Sequence, residues 1–148
     1  MKLAVAMLFV CSLLGGCASV RVNSELDSPA PSSSIDQAEA WSMGHSWSLS
    51  ASGRACVFPK DTGSMVPTLD SHTMLLLERV TARDLRPHDI ALYSKAADGT
   101  GDETICHRVL KVNSDGFVYF CGDSTYYVDG WVAPQRIRWR VAGTIFTH

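Results

Sequence analysis

Residues 104 to 121 constrain this chain most. Thr104 to Val112 alternates apolar and polar, which would put Ile105, His107, Val109 and Lys111 on one face of a strand. Asn113-Ser114-Asp115-Gly116 then supplies a turn, and Phe117 to Cys121 returns the chain as a hairpin partner. The same texture recurs elsewhere. Met74 to Val80 is a short apolar run after a turn at Asp70-Ser71-His72, and Asp89 to Ser94 is another. Ile137 to Thr147 carries Ile137, Trp139, Val141 and Gly143 at period two. No stretch shows a long 3.6-residue period. The expected fold is therefore mostly β, a small antiparallel domain over residues 51–148 whose sheet closes or stacks to protect its edges. A chain of 148 residues leaves room for one such domain.

The N-terminal residues differ in character. Lys2 is followed by an uncharged apolar run from Leu3 to Leu14. As a helix, such a run rises about 18 Å, short of the roughly 30 Å of a bilayer core. It is expected to be the apolar part of an export signal over residues 1–17. The run ends in Leu14-Gly15-Gly16-Cys17, which resembles a bacterial lipobox. That resemblance implies lipidation at Cys17 and a lipoprotein held on the extracytoplasmic side of a membrane. Ala18 follows the Cys where the common inner-membrane retention signal has Asp, favouring the outer membrane in a Gram-negative host. Residues 18–50, with Ser28-Pro29-Ala30-Pro31-Ser32-Ser33-Ser34, are expected to be a tether. Trp41 and Trp47 in its second half are expected to pack back on the domain. Export leaves Cys56, Cys106 and Cys121 in the mature domain, an odd number that predicts one disulfide and one free thiol. A formal net charge of -2 gives no reason to expect nucleic acid as a partner.

The chemistry-bearing segment is Thr62-Gly63-Ser64-Met65-Val66-Pro67-Thr68-Leu69. By itself it predicts a Gly-Ser turn followed by an extended segment fixed by Pro67, a way of holding one hydroxyl rigidly at the mouth of a strand. Downstream lie His88-Asp89-Ile90-Ala91, His107-Arg108-Val109, Gly122-Asp123-Ser124 and Asp129. These segments, in this order, resemble the signal peptidase I family, which shares its catalytic β fold with the self-cleaving LexA-type repressors. The family's nucleophile box is Ser-Met-x-Pro-Thr-Leu, as at Ser64 to Leu69. Its base segment is Lys-Arg-Val in the common bacterial branch and His-Arg-Val in the branch typical of archaea and the eukaryotic secretory pathway.

The resemblance implies a serine endopeptidase with Ser64 as nucleophile and His107 as general base. A serine hydroxyl is a poor nucleophile until a base takes its proton. An imidazole ordinarily titrates near 6.5 and is largely neutral near pH 7, whereas a lysine base needs strong burial. Lys111, about 13 Å along the strand from His107, is too far to replace it. The base needs an orienting acceptor. Asp129 is expected in that role from the family's spacing, with Asp123 the second candidate. Thr62 is expected to supply a hydroxyl to the oxyanion hole beside the Ser64 backbone N–H. Met65, Pro67, Ile105 and Cys106 are expected at the substrate groove. The implied partner is a polypeptide precursor laid along the sheet edge, with small residues at the first and third positions before the cut. His45, His72, His88 and His148 show no metal-ligand spacing, so no metal or cofactor is expected. Two alternatives share the fold: an inactive peptide-binding envelope lipoprotein, and a self-cleaving regulator. The second would need a lysine-type base and a cleavable segment before Ser64. The chain departs from the family in lacking a long N-terminal anchor and the long inserted segment of bacterial members.

Overall fold

The computed structural model describes residues 33–60, 62–125 and 127–148. The expected export signal, the expected lipidation site Cys17 and the first part of the expected tether lie outside the described residues. The described fold is one helix, α1 (Gln37–Leu49), followed by seven strands: β1 (Arg54–Val57), β2 (Thr73–Arg79), β3 (Ile90–Ser94), β4 (Thr104–Val112), β5 (Val118–Cys121), β6 (Val128–Val132) and β7 (Ile137–Phe146). They form a single sheet in the order β1-β2-β7-β3-β4-β5-β6, with every neighbouring pair antiparallel. The mostly β expectation holds.

The sheet buries both faces near its centre. On β3, Ala91 and Tyr93 join Val109, Val118, Phe120 and Ile137 in one cluster, while Leu92 joins Met65, Leu69, Leu75 and Leu77 in the other. This is why Ile90 to Tyr93 is a continuous apolar run instead of an alternating one. Leu75, Val109 and Phe120 are fully buried, and burying side chains of this size stabilises by about 1.5–3 kcal/mol each.

Four bulges interrupt the ladders: one is at Asp129, which the β5–β6 register skips between Gly130↔Phe120 and Val128↔Cys121, and the other three alter the alternation expected from sequence. The β4–β5 register passes from Val109↔Phe120 to Lys111↔Tyr119, so Leu110 is the extra residue. Lys111 is thereby turned to the face opposite His107 and Val109, not the same one. In β7 the register skips Arg138 against β3 and Ala142 against β2. Ile137 and Trp139 consequently serve different clusters, despite their two-residue spacing.

Residues 37–49, expected to be part of a tether, form a helix packed on β1 and β2. Asp36 caps it, its Oδ1 accepting from the Glu39 N–H at 2.7 Å. The buried positions are Ala40 and Gly44. At Gly44 the helix meets the sheet so closely that a Cβ would fall 2.9 Å from the Cys56 Cβ and collide with the Met74 sulfur. Small residues thus do what large apolar ones usually do, and the helix shows no apolar stripe in the sequence. Trp47 does pack back: its Nε1–H donates to the Leu77 carbonyl at 3.4 Å, and the Arg54 guanidinium lies 3.9 Å over its ring. Trp41 stays half exposed and meets Phe58 edge-on at 5.5 Å.

Cys56, Cys106 and Cys121 are all free thiols, which corrects the expected disulfide. Each has separate surroundings. Cys56 lies under α1 beside Gly44. Cys106 packs against the Leu92 cluster. The Cys121 thiol turns into the next loop and donates to the Gly122 carbonyl at 3.1 Å.

Candidate active site

The long connection between β1 and β2 carries Ser64. Its path is set by Gly63, at φ +68°, and by two apolar anchors, Met65 and Leu69, each 5% exposed. The backbone turns through residues 64–68, with the Leu69 N–H donating to the Met65 carbonyl at 2.9 Å. An extended segment was expected there; the structure has a compact turn, and the Val66–Pro67 bond within it is cis. Pro67 itself is exposed and stands outside the cavity described below, unlike its expected place in the substrate groove.

β4 carries His107. The His107 Nε2 lies 3.0 Å from the Ser64 Oγ, and its Nδ1 lies 2.5 Å from the Asp129 Oδ2. Both side chains are largely buried, at 11% and 20% exposure. Asp129 sits on β6, the outermost strand, next to Gly130 at φ +81°. Burial alone would raise the Asp129 carboxyl, but hydrogen bonds from His107 and from the Tyr93 hydroxyl outweigh it and hold the group below the ordinary carboxylate range. Burial, reinforced by the same carboxylate, pushes the Tyr93 phenol up. The Thr62 hydroxyl is 3.2 Å from the Ser64 Oγ, exposed at the mouth of the site.

Asp123 has a different partner from the one considered in the sequence. It takes a two-pronged contact from Arg108, Nε to Oδ1 at 2.7 Å and Nη2 to Oδ2 at 2.5 Å, and a third bond from the Thr68 hydroxyl at 2.5 Å. Burial opposes its ionisation, yet these donors lower it overall. The cause is register: Arg108 pairs with Cys121, two residues before Asp123, so the guanidinium faces the loop after β5. A carboxylate saturated in this way is a bracket between the Ser64 loop and β4, and its oxygens are taken by Arg108 and Thr68, not by His107.

The Gly122-Asp123-Ser124 loop also holds the Ser64 backbone. The Ser124 N–H donates to the Ser64 carbonyl at 3.0 Å, and its hydroxyl donates to the Gly63 carbonyl. Gly122 is where this loop comes closest: a Cβ there would lie 2.6 Å from the Ser64 carbonyl oxygen and 3.1 Å from the His107 Nε2. Sequence reasoning did not single out Tyr93, Thr68, Arg108 or Ser124. Each belongs to a matched or apolar segment, and nothing in those segments indicates which neighbour its side chain meets.

Beside Ser64 lies a cavity of about 470 Å³. Met65, Leu69, Leu75 and Leu92 give it an apolar lining; the segment from Val57 to Lys60 and the start of β4 from Thr104 to His107 also border it. Met65, Ile105 and Cys106, expected at a substrate groove, are among the residues that line this cavity. The Cys106 thiol is raised to about 12, by burial first and then by Asp123, and is not a competing nucleophile. The β4–β5 ladder begins at Arg108↔Cys121, so Thr104 to His107 run past the end of β5 and along the cavity. Among the described residues no helix is long and apolar enough to cross a membrane. The chain matches no family model, no curated protein and no solved structure.

Proposed function

We propose that this chain is a serine endopeptidase of the signal peptidase kind, cutting a polypeptide precursor after a small residue. The observation that carries the reading is the alignment of Ser64 Oγ, His107 Nε2, His107 Nδ1 and Asp129 Oδ2 through contacts of 3.0 and 2.5 Å. In this reading His107 takes the Ser64 proton as the oxygen attacks the scissile carbonyl. Asp129 holds the ring by its Nδ1–H and stabilises the imidazolium that forms. His107 then returns the proton to the leaving amine, and water repeats the sequence on the acyl-enzyme. Thr62 stands within reach of the developing oxyanion.

The cavity supports a peptide substrate. An extended segment laid along Thr104 to Cys106 would hydrogen-bond to that part of β4 and point alternate side chains toward Met65 and Leu92. The motif resemblance supplies the preference for small side chains, the type of fold and the placement at a membrane through a lipid on Cys17. The test is cleavage of precursor peptides with Ala at the first and third positions before the cut, by the wild-type chain and by Ser64→Ala. The variant should lose several orders of magnitude in kcat, together with labelling by a fluorophosphonate. Cleavage surviving at a tenth of the wild-type rate would remove Ser64 from the chemistry.

A further inference from the structure

Two peptide groups flank Ser64, and the first of them carries the Ser64 N–H, the backbone donor to the oxyanion in the peptidase reading. The local sequence does little to fix that group. Gly63 sits at φ +68° in the exposed part of the turn, and nothing lies within 4 Å of where its Cβ would be. Glycine has more backbone freedom than any other residue, so a peptide group that begins there turns easily. An oxyanion donor is effective when it already points to where the charge will form.

Ser124 holds both peptide groups at once. Its N–H donates to the Ser64 carbonyl at 3.0 Å, and its hydroxyl donates to the Gly63 carbonyl. The Val66 N–H also reaches the Gly63 carbonyl, at 3.4 Å, which is long for such a bond. A trans peptide is planar, with its C=O and its N–H on opposite sides. Fixing the Gly63 carbonyl toward Ser124 therefore aims the Ser64 N–H away from the Gly122-Asp123-Ser124 loop. Thr62, Gly63 and Ser64 line the cavity and residues 122–124 do not, so the direction away from that loop is the cavity side. Among the described residues the Ser64 N–H has no acceptor. Ser124 is itself well anchored. Its neighbour Asp123 is gripped by Arg108 at 2.7 and 2.5 Å, and Arg108 follows His107 on β4. The strand that carries His107 thus also sets the orientation of the Ser64 backbone.

We propose that Ser124 is a positioning residue of this site: its hydroxyl, by holding the Gly63 carbonyl, sets the plane of the Gly63–Ser64 peptide and keeps the Ser64 N–H aimed at the place where the oxyanion forms. Ser124 acts through that peptide and makes no hydrogen bond to the Ser64 Oγ. The catalytic consequence rests on the peptidase reading; the contact does not.

The experiment compares the full chain with Ser124→Ala and Ser124→Thr, using a fluorophosphonate as the probe. In this reaction the Ser64 oxygen bonds to phosphorus, fluoride leaves and His107 takes the hydroxyl proton. Negative charge gathers on the phosphoryl oxygen, so the step calls on the same donor without requiring a known peptide substrate. Ser124→Ala keeps the N–H and loses only the hydroxyl. Removing an oxyanion donor outright costs about 10²–10³-fold in rate. Loosening its aim should slow labelling about tenfold or more, while the half-saturating concentration of reagent stays within about twofold. Ser124→Thr keeps a hydroxyl at an exposed position and should recover labelling to within about threefold of wild type. The amide nitrogen resonance of Ser64 senses what is bonded to the carbonyl before it; it should move in Ser124→Ala and return in Ser124→Thr. A contribution to stability alone would lower Tm and leave the labelling rate of the folded protein unchanged. Labelling of Ser124→Ala at the wild-type rate, equal losses in both variants, or an unmoved Ser64 resonance overturns the proposal while leaving Ser64 and His107 in place. A wild-type chain that is not labelled at Ser64 removes the peptidase reading instead, and the catalytic role of Ser124 with it; the Ser64 resonance then decides the contact alone.

Discussion

Gly122→Ala introduces one methyl group at the tightest point of the site. The added carbon would lie 2.6 Å from the Ser64 carbonyl oxygen, 3.0 Å from the Thr125 hydroxyl and 3.1 Å from the His107 Nε2. The first contact is to backbone and has to open by roughly 0.8 Å to reach ordinary van der Waals separation. The Ser64 peptide is tied to the same loop by the Ser124 N–H at 3.0 Å, so it cannot retreat without losing that bond. Overpacking of this sort costs about 1–3 kcal/mol of stability. For a domain this size that lowers Tm by roughly 3–12 °C. Activity should suffer more than stability. A displacement approaching 1 Å between nucleophile and base costs about a hundredfold in rate. The assay is kcat/KM on a cleaved precursor peptide, alongside a thermal melt. Gly122→Ala should retain about 1% of wild-type activity while remaining folded at 25 °C. A variant with activity within threefold of wild type and an unchanged Tm would show that the loop and the nucleophile do not approach as described.

Two further outcomes follow from groups away from that contact. His88 is a non-glycine residue at φ +79°, a conformation that costs about 1–2 kcal/mol in most L-residues; His88→Gly should regain that cost less about 0.5–1 kcal/mol of chain entropy, so its urea midpoint should rise slightly, and a lowered midpoint would contradict this. Asp123 and Asp129 are both held below the ordinary carboxylate range, so their stabilising effect is fully present above the unfolded-state value near 3.9 and is lost as pH falls through their lower folded values. Urea midpoints should therefore drop below about pH 4, less so in Asp123→Asn, and a flat profile from pH 5 to 2 would refute the assignment.

The hairpin from Thr104 to Cys121 and the strands around it were legible because alternation and turn chemistry are local signals. β6 was not, since Asp129 and Gly130 are poor strand residues: Gly130 pairs with Phe120 and Val128 with Cys121, while Asp129 is the unpaired bulge residue between them. Helix α1 was hidden for the reason given by Ala40 and Gly44: its contact face is small, not apolar. The bulges at Leu110, Arg138 and Ala142 leave the two-residue pattern intact in the sequence while reversing what it means in space. Within the site, Ser64 and His107 could be named from their segments. Asp129 was ranked ahead of Asp123 from the family's spacing; what that spacing does not contain is that Arg108, lying across from Cys121, occupies Asp123.

The position of β7 has a consequence for how such a site comes into being. It follows every other strand along the chain, yet it lies between β2 and β3, joining the part of the sheet next to the Ser64 loop to the part that bears His107 and Asp129. Until it arrives, β1 and β2 have no ladder to β3 through β6, and Ser64 is held toward His107 only through the contacts of its loop with Ser124 and Asp123. Thr73 pairs with Phe146, one of the longest loops the chain has to close, and pairings of such separation form late. A chain still being made would thus carry every chemical group of the site without the site.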